Sequence, residues 1–228
     1  MGDLFPSTIS SSERDFANEI LDDLEVLLDM ETEDLRYQFH LAFGFAYGAH
    51  YLRSKTTNRR REANELYFNH SLRVACETAR WHDRSSYGKS GGNRSYRTRE
   101  AVLIALFHDI FEETTATFEE VVAHIGEELA HLTTLLTDMP PPEDELWPDV
   151  LERKFARIAP HPILQWIKFH DRMDNLNSKQ VEPKRRLELA VFQIQVYNSA
   201  WKKAGLFENA IRDFEHAALE LIKAAPTA

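Results

Sequence analysis

The chain has 228 residues, of which 43% are apolar and 28% are charged, and its formal net charge is −10. These values are typical of one folded domain, and the negative charge argues against a nucleic-acid partner, because phosphate binding needs a positive surface. No apolar stretch approaches the roughly 20 residues that span a bilayer, and the first residues lack the pattern of a secretory signal. With a single cysteine, the sequence predicts no internal disulfide, no membrane segment and a cytoplasmic location.

Apolar residues recur at spacings of three and four along most of the chain, which is typical of amphipathic helices. Glycine is scarce and alternating β-branched runs are few, so a sheet-rich fold is disfavoured. The pattern predicts an all-α bundle of eight or nine helices, forming one domain over 13–228 after a flexible segment over 1–12. The periodic segments are 16–30, 67–81, 101–111, 118–136, 163–176 and 187–201.

Helix-capping and turn-forming residues mark the boundaries of several of these segments. Thr117 followed by Glu120 resembles a capping box, which predicts the start of a helix over 118–136. The stretch SSYGKSGGNRS (85–95) predicts a polar loop, and DMPPPEDE (138–145) predicts a sharp turn. A basic run over 52–62 stands out on an acidic chain, where it is either solvated surface or a place that attracts a small anion.

The segment ALFHDIFEETTA (105–116) places ionisable residues inside an apolar helix. His108 and Asp109 follow a run of apolar residues, and Glu112 and Glu113 come one turn later on the expected helix face. Buried imidazole and carboxylate groups cost several kcal/mol unless they are paired or bound to metal. A salt-bridge cluster is one explanation, but no lysine or arginine occurs between Arg99 and Arg153, so a metal ion is the other.

A divalent ion bound by imidazole and carboxylate needs further ligands. Upstream, His70 lies on the apolar side of its helix, and downstream the candidate is Asp171, with Asn175 one turn later. His170 is adjacent to Asp171 and therefore points about 100° away around the helix, so packing is its expected role. The set of His70, His108, Asp109 and Asp171 would come from three helices, as metal sites in helical bundles do.

These residues resemble the HD phosphohydrolase superfamily, in which a histidine precedes a His-Asp pair and a later aspartate. The resemblance is closer to the (p)ppGpp hydrolase domain of RelA/SpoT enzymes and their stand-alone small alarmone hydrolase relatives. It is carried by YFNHSLRVA (67–75), by the His-Asp-x-x-Glu-Glu-Thr run from 108 to 114 with the helix after it, and by IKFHDRMDNLNS (167–178). FAYGAHYLR (45–53) adds an earlier match, while Ser71 and Glu113 stand where the family usually has proline and aspartate.

The resemblance implies a role for each matching position. His70, His108, Asp109 and Asp171 would be the ligands of a single divalent metal, Mn²⁺, and Glu112 and Glu113 would be the catalytic acids. Arg61 and Asn175 would contact the nucleotide, and Arg172 would be structural. The implied activity is hydrolysis of the 3'-pyrophosphate of ppGpp, pppGpp or a close purine alarmone, with release of pyrophosphate.

Two alternatives stay open at this point. One is an HD phosphohydrolase that acts on another nucleotide, such as a nucleoside monophosphate, a dNTP or NADPH. The other is a domain of the same fold that senses a nucleotide or binds a protein without catalysis. The sequence predicts neither the preference for guanine or adenine nor the oligomeric state.

Overall fold

The computed structural model describes residues 10–28, 32–55, 59–60, 65–84, 98–138 and 147–177, together with a few positions near the C-terminal end. Within these ranges the chain forms nine helices and two strands of two residues each. The helices are α1 (Ser11–Leu28), α2 (Glu33–Leu52), α3 (Phe68–Arg84), α4 (Thr98–Phe107), α5 (Ile110–Glu113), α6 (Phe118–Ile125), α7 (Glu127–Leu136), α8 (Trp147–Ile158) and α9 (Pro162–Asn177), and the strands are β1 (Arg59–Arg60) and β2 (Glu65–Leu66).

The predicted all-α architecture is confirmed for these residues. Helices α2 and α8 were not among the predicted periodic segments. Three predictions fall wholly or mostly outside the described residues: the loop over 85–95, the helix over 187–201 and the turn over 138–145. Residues 1–9 of the predicted flexible N-terminus also lie outside them, whereas Ser11 already begins α1. No helix of the described ranges is both long and apolar enough to cross a membrane.

The chain divides into two compact units, one of Met1–Arg59 with Glu65–Thr137 and one of Arg60–Asn64 with Asp138–Ala228. In the first unit, α4 lies at the centre and packs against α2, α3 and α7, while α1 packs against α3. Every residue from Ala101 to Phe107 in α4 is buried. Because the apolar side chains of α4 are covered on all sides, its ends are held in fixed positions, and the site residues follow directly after its C-terminal end.

The helix expected over 118–136 is interrupted, and this part of the prediction is wrong. Gly126 has φ 83° and ψ 160°, so α6 ends at Ile125 and α7 begins at Glu127. Only glycine adopts this backbone conformation without strain, which explains why the break falls there. The predicted capping box is present: the Glu120 amide donates to Thr117 Oγ1, and the Thr117 amide donates to a Glu120 carboxylate oxygen at 2.8 Å.

The second unit contains α8 and α9, which pack against each other around a buried charge cluster. Asp138 accepts hydrogen bonds from Lys154, from Lys168 Nζ at 3.1 Å and from Arg172 Nη2 at 2.7 Å. Burial raises the pKa of Asp138, but the charges of the three cations outweigh burial and hold that pKa well below its usual range. We call Asp138, Lys154, Lys168 and Arg172 the Asp138 cluster.

Candidate metal centre

His108 and Asp109 lie in a turn between α4 and α5, so the prediction that one continuous helix face carries them is wrong. Asp109 has φ −102° and ψ 4°, and its carbonyl accepts from the amides of Glu112 at 3.1 Å and Glu113 at 2.9 Å. In an unbroken helix adjacent side chains point about 100° apart. In this turn they converge instead, and His108 Nε2 lies 3.0 Å from Asp109 Oδ2.

His70 reaches the same carboxylate from the first turn of α3. Its Nε2 lies 3.7 Å from Asp109 Oδ2, and its ring centroid lies 5.2 Å from that of His108. Both imidazoles are 1% exposed and Asp109 is 6% exposed, so the group is shielded from water. These three side chains therefore lie close together in the interior, and their assignment as metal ligands stays a prediction.

The tautomer of His108 bears on what this group can bind. His108 Nδ1 lies 2.8 Å from the carbonyl oxygen of Ala105, and a carbonyl only accepts, so Nδ1 carries the proton. A neutral His108 then presents the lone pair of Nε2 to the carboxylate oxygen of Asp109 at 3.0 Å. Two acceptors at that distance repel each other unless a proton or a cation lies between them. Metal-binding histidines are usually oriented by such a bond from the other ring nitrogen, so these residues fit a divalent ion.

Tyr67 is a part of this site to which the sequence analysis gave no role. Its hydroxyl donates to Asp109 Oδ2 at 3.3 Å, and its ring stands nearly perpendicular to His70. The signal was present, because Tyr67 precedes His70 by three residues and so lies near it at the start of α3. A phenol that holds one carboxylate oxygen restricts the rotation of the Asp109 side chain.

His50 is a second buried histidine of the first unit. It is 1% exposed, its ring is parallel to that of Tyr67 at 5.8 Å, and neither ring nitrogen has a hydrogen-bond partner among the described residues. The pKa of His50 is lowered to about 4, chiefly by burial. The negative charge of Asp109 raises this pKa, and electrostatic repulsion from His108 and His70 lowers it further. His50 is therefore neutral at physiological pH.

Asp171 lies in the second unit, on α9, and is 3% exposed. Its Oδ2 lies 2.9 Å from Lys168 Nζ and 3.6 Å from Arg172 Nε, and its Oδ1 accepts from Asn175 Nδ2 at 2.8 Å. His170 stacks on Trp166 at 5.9 Å, in agreement with the packing role expected for it. The assignment of Asp171 as a metal ligand and of Asn175 as a nucleotide contact stays a prediction.

The two proposed acids occupy α5, which follows directly after Asp109. Glu112 and Glu113 are both partly exposed, and their assignment as catalytic acids stays a prediction. Because α5 is a single helical turn, both glutamates lie within four residues of Asp109. Arg61, the other predicted nucleotide contact, lies outside the described residues.

The sequence matches no protein-family model, and no curated protein sequence matches it significantly. The structure matches 23 chains among solved structures. One of them, from the work titled "A metazoan ortholog of SpoT hydrolyzes ppGpp and plays a role in starvation responses", covers 82% of this chain and 94% of its own. The two chains are 19% identical, with a TM-score of 0.53. The chain therefore has the all-α fold of the HD type that its sequence motifs predicted.

Proposed function

We propose that the chain is a metal-dependent hydrolase that removes the 3'-pyrophosphate of ppGpp, pppGpp or a close purine alarmone. One observation carries the proposal: a buried group of His70, His108 and Asp109 lies on a fold shared with a ppGpp hydrolase. The likeness at 19% identity supports the fold, and the side chains support the chemistry.

The proposed metal ligands are His70, His108 and Asp109, with Asp171 of the second unit as the fourth. Mixed nitrogen and oxygen donors suit a single Mn²⁺ ion. Such an ion supplies a positive charge that polarises phosphate oxygens and lowers the pKa of a water molecule toward about 7. The Ala105 carbonyl and the Tyr67 hydroxyl would keep His108 and Asp109 in the orientation that this role requires.

Glu112 and Glu113 are the proposed general bases. One of them would take a proton from the water that attacks the phosphorus attached to the 3' oxygen. The bond between that phosphorus and the 3' oxygen breaks, the oxygen gains a proton, and pyrophosphate leaves with the oxygen atom of the water. A positioned base of this kind contributes roughly 10² to 10⁴ in rate.

Asn175 and Arg61 are the proposed nucleotide contacts. Asn175 lies one turn after Asp171 on α9 and donates from Nδ2 to Asp171 Oδ1 at 2.8 Å. Arg61 would offset negative charge on the phosphates, a role that suits the planar guanidinium group. Both assignments rest on the matching positions in the sequence.

The test is a nucleotide panel assayed with Mn²⁺: ppGpp, pppGpp, ppApp, dNTPs, a nucleoside monophosphate and NADPH. We expect release of pyrophosphate from a purine alarmone, and no release by Asp109→Ala prepared in the same way. Orthophosphate as the only product would favour another HD nucleotide hydrolase. Binding of Mn²⁺ and nucleotide without any turnover would favour a sensor.

A further inference from the structure

The α5 turn is held in place from outside by the residues that follow α2. A helix of four residues is not stable on its own, because fixing the backbone of its first turn costs more free energy than its few hydrogen bonds contribute. The amide of Lys55 donates to the carbonyl of Glu113 at 2.8 Å, and the amide of Thr115 donates to the carbonyl of Arg53 at 2.9 Å. Residues 53–55, which we call the strap, therefore pair in antiparallel fashion with the exit of α5.

The side chain of Arg53 strengthens this pairing. Its Nη1 and Nη2 donate to the two carboxylate oxygens of Glu120 at 2.9 and 2.8 Å, and Nη2 also donates to the carbonyl of Thr115 at 2.8 Å. The pKa of Glu120 falls to about 2, chiefly because Arg53 hydrogen-bonds to it. Since Glu120 belongs to the capping box of α6, Arg53 joins the strap, the exit of α5 and the start of α6.

Lys55 acts on the turn from the same side. Its Nζ donates to the carbonyl of Phe111 at 2.7 Å. The carbonyls of such a short helix lack partners within it, and a cation at its C-terminal end is electrostatically favourable. Two of the five basic residues in the run over 52–62 are thus engaged in holding the protein's own turn.

We propose that Arg53 and Lys55 are positioning residues, which fix the α5 turn and thereby the location of the Glu112 and Glu113 carboxylates relative to His108 and Asp109. This inference rests on the proposed function for its catalytic consequence. The physical reason is geometric, because a displacement of about 1 Å in a reacting group can lower a rate by about 10²-fold. Neither residue needs to touch the substrate.

The experiment uses Arg53→Met and Lys55→Met in the full chain. Matched controls are Arg80→Met, which removes an arginine paired with Glu77 on α3, and Lys223→Met, which removes a lysine paired with Glu220. For each variant we would measure the kinetics of ppGpp hydrolysis, the Mn²⁺ affinity by calorimetry, and amide hydrogen exchange over 98–136.

For Arg53→Met we expect kcat to fall roughly 10- to 100-fold, while KM and Mn²⁺ affinity stay within about threefold of wild type. Exchange at residues 112–114 should accelerate about tenfold or more, with α7 unchanged. Arg53→Lys should not restore kcat, because an ammonium cannot bond both oxygens of Glu120 and the Thr115 carbonyl in one plane. Lys55→Arg should restore most of the activity that Lys55→Met loses.

Two results would overturn the proposal. One is an unchanged kcat in a variant whose turn exchanges faster, and the other is a loss of kcat accompanied by faster exchange throughout α4, α6 and α7. If the wild-type chain does not hydrolyse ppGpp, the proposed function fails. The exchange data then decide the holding role alone: unchanged exchange at 112–114 refutes it, and acceleration confined to the turn supports it.

Discussion

Asp109 in the first unit and Asp138 in the second are both buried aspartates, but their surroundings differ. Asp138 accepts from two lysines and an arginine, so the protein itself supplies its counter-charge. Asp109 faces the Nε2 atoms of His70 and His108 at 3.7 and 3.0 Å and accepts from Tyr67. Imidazoles are neutral or charged according to pH, whereas the arginine is always charged.

This difference separates a structural site from a candidate functional one. A carboxylate that is held by lysine and arginine side chains of the protein itself is fixed and has its hydrogen bonds satisfied within the protein. A carboxylate that faces the lone pair of His108 Nε2, with the imidazole of His70 beside it, is set up for a cation from solution. The two aspartates should therefore respond in opposite ways to added metal and to mutation, and each of the following experiments tests that contrast.

The largest effect should follow Asp109→Ala. We expect this variant to lose Mn²⁺ binding and turnover together, since it removes the carboxylate that both imidazoles face. Mn²⁺ at 100 times its Kd should stabilise the wild-type chain by about 2.7 kcal/mol and should not stabilise the variant, as measured by thermal unfolding with and without metal. Asp23→Ala, at an exposed aspartate paired with Arg80, is the control. Normal hydrolysis of ppGpp by Asp109→Ala would refute the site.

Glu112→Gln should separate metal binding from catalysis. The amide keeps the size of the side chain but cannot take a proton, so we expect turnover to fall roughly 10²- to 10⁴-fold while Mn²⁺ affinity is retained. Calorimetry beside a pyrophosphate-release assay measures both quantities. Glu77→Gln on α3 is the matched control, because Glu77 is exposed and pairs with Arg80, three residues later on the same helix. Equal loss of metal binding and turnover would make Glu112 a ligand instead of a base.

Most of the fold and the main members of the site were predictable from local sequence patterns. The spacing of apolar residues predicted α1, α3, α4 and α9, because amphipathic helices carry a strong periodic signal. The burial of His108 and Asp109 followed from the apolar run before them. The breaks at 108–109 and at Gly126 were missed, because an apolar helical pattern continues across both positions. The glycine itself was the local signal of the second break.

The long-range ion pairs that hold the helices together could not be predicted from local sequence patterns. Arg53 pairs with Glu120, which is 67 residues away, and Lys154 pairs with Asp138, which is 16 residues away. Long-range pairs of this kind leave no periodic trace in a single sequence. The sequence analysis accordingly interpreted residues 53–55 as part of a basic run that is either solvated surface or a place that attracts a small anion. In the structure Lys55 contacts α5, and Arg53 contacts the residues after it.

Asp138→Asn should destabilise the chain and should affect metal binding less than Asp109→Ala does, because Asp138 acts on the proposed ligand Asp171 only through Lys168 and Arg172, which contact both carboxylates. Removing this charge takes away the carboxylate that Lys154, Lys168 and Arg172 share, and breaking a buried ion pair by removing one partner costs about 3–5 kcal/mol. Chemical unfolding with and without Mn²⁺ measures the loss, and most of the stabilisation by metal should be retained. Asp149→Asn, at an exposed position in the first turn of α8, is the control. A metal response that disappears in Asp138→Asn would contradict the contrast between the two aspartates.

The same variant should change the acid limb of the stability curve. The folded pKa of Asp138 lies well below its ordinary value of 3.8, so its stabilisation is present above about pH 4 and is lost as the pH falls toward the folded pKa. An asparagine has no proton to gain, so the slope between about pH 4 and pH 2 should be shallower in Asp138→Asn than in the wild type. Equal slopes would show that another carboxylate dominates acid unfolding.

His50→Phe extends the comparison from carboxylates to a buried imidazole. The pKa of His50 is lowered from 6.5 to about 4, so between these values the unfolded chain binds a proton that the folded chain does not. Stability of the metal-free protein should therefore decrease as the pH falls from about 6.5 to 4, by up to about 3 kcal/mol from this residue. Phenylalanine removes that titration, and the slope in this window should flatten, whereas His131→Phe at an exposed position should leave it unchanged. An unaltered slope in His50→Phe would show that burial does not lower the pKa of His50 in the folded chain.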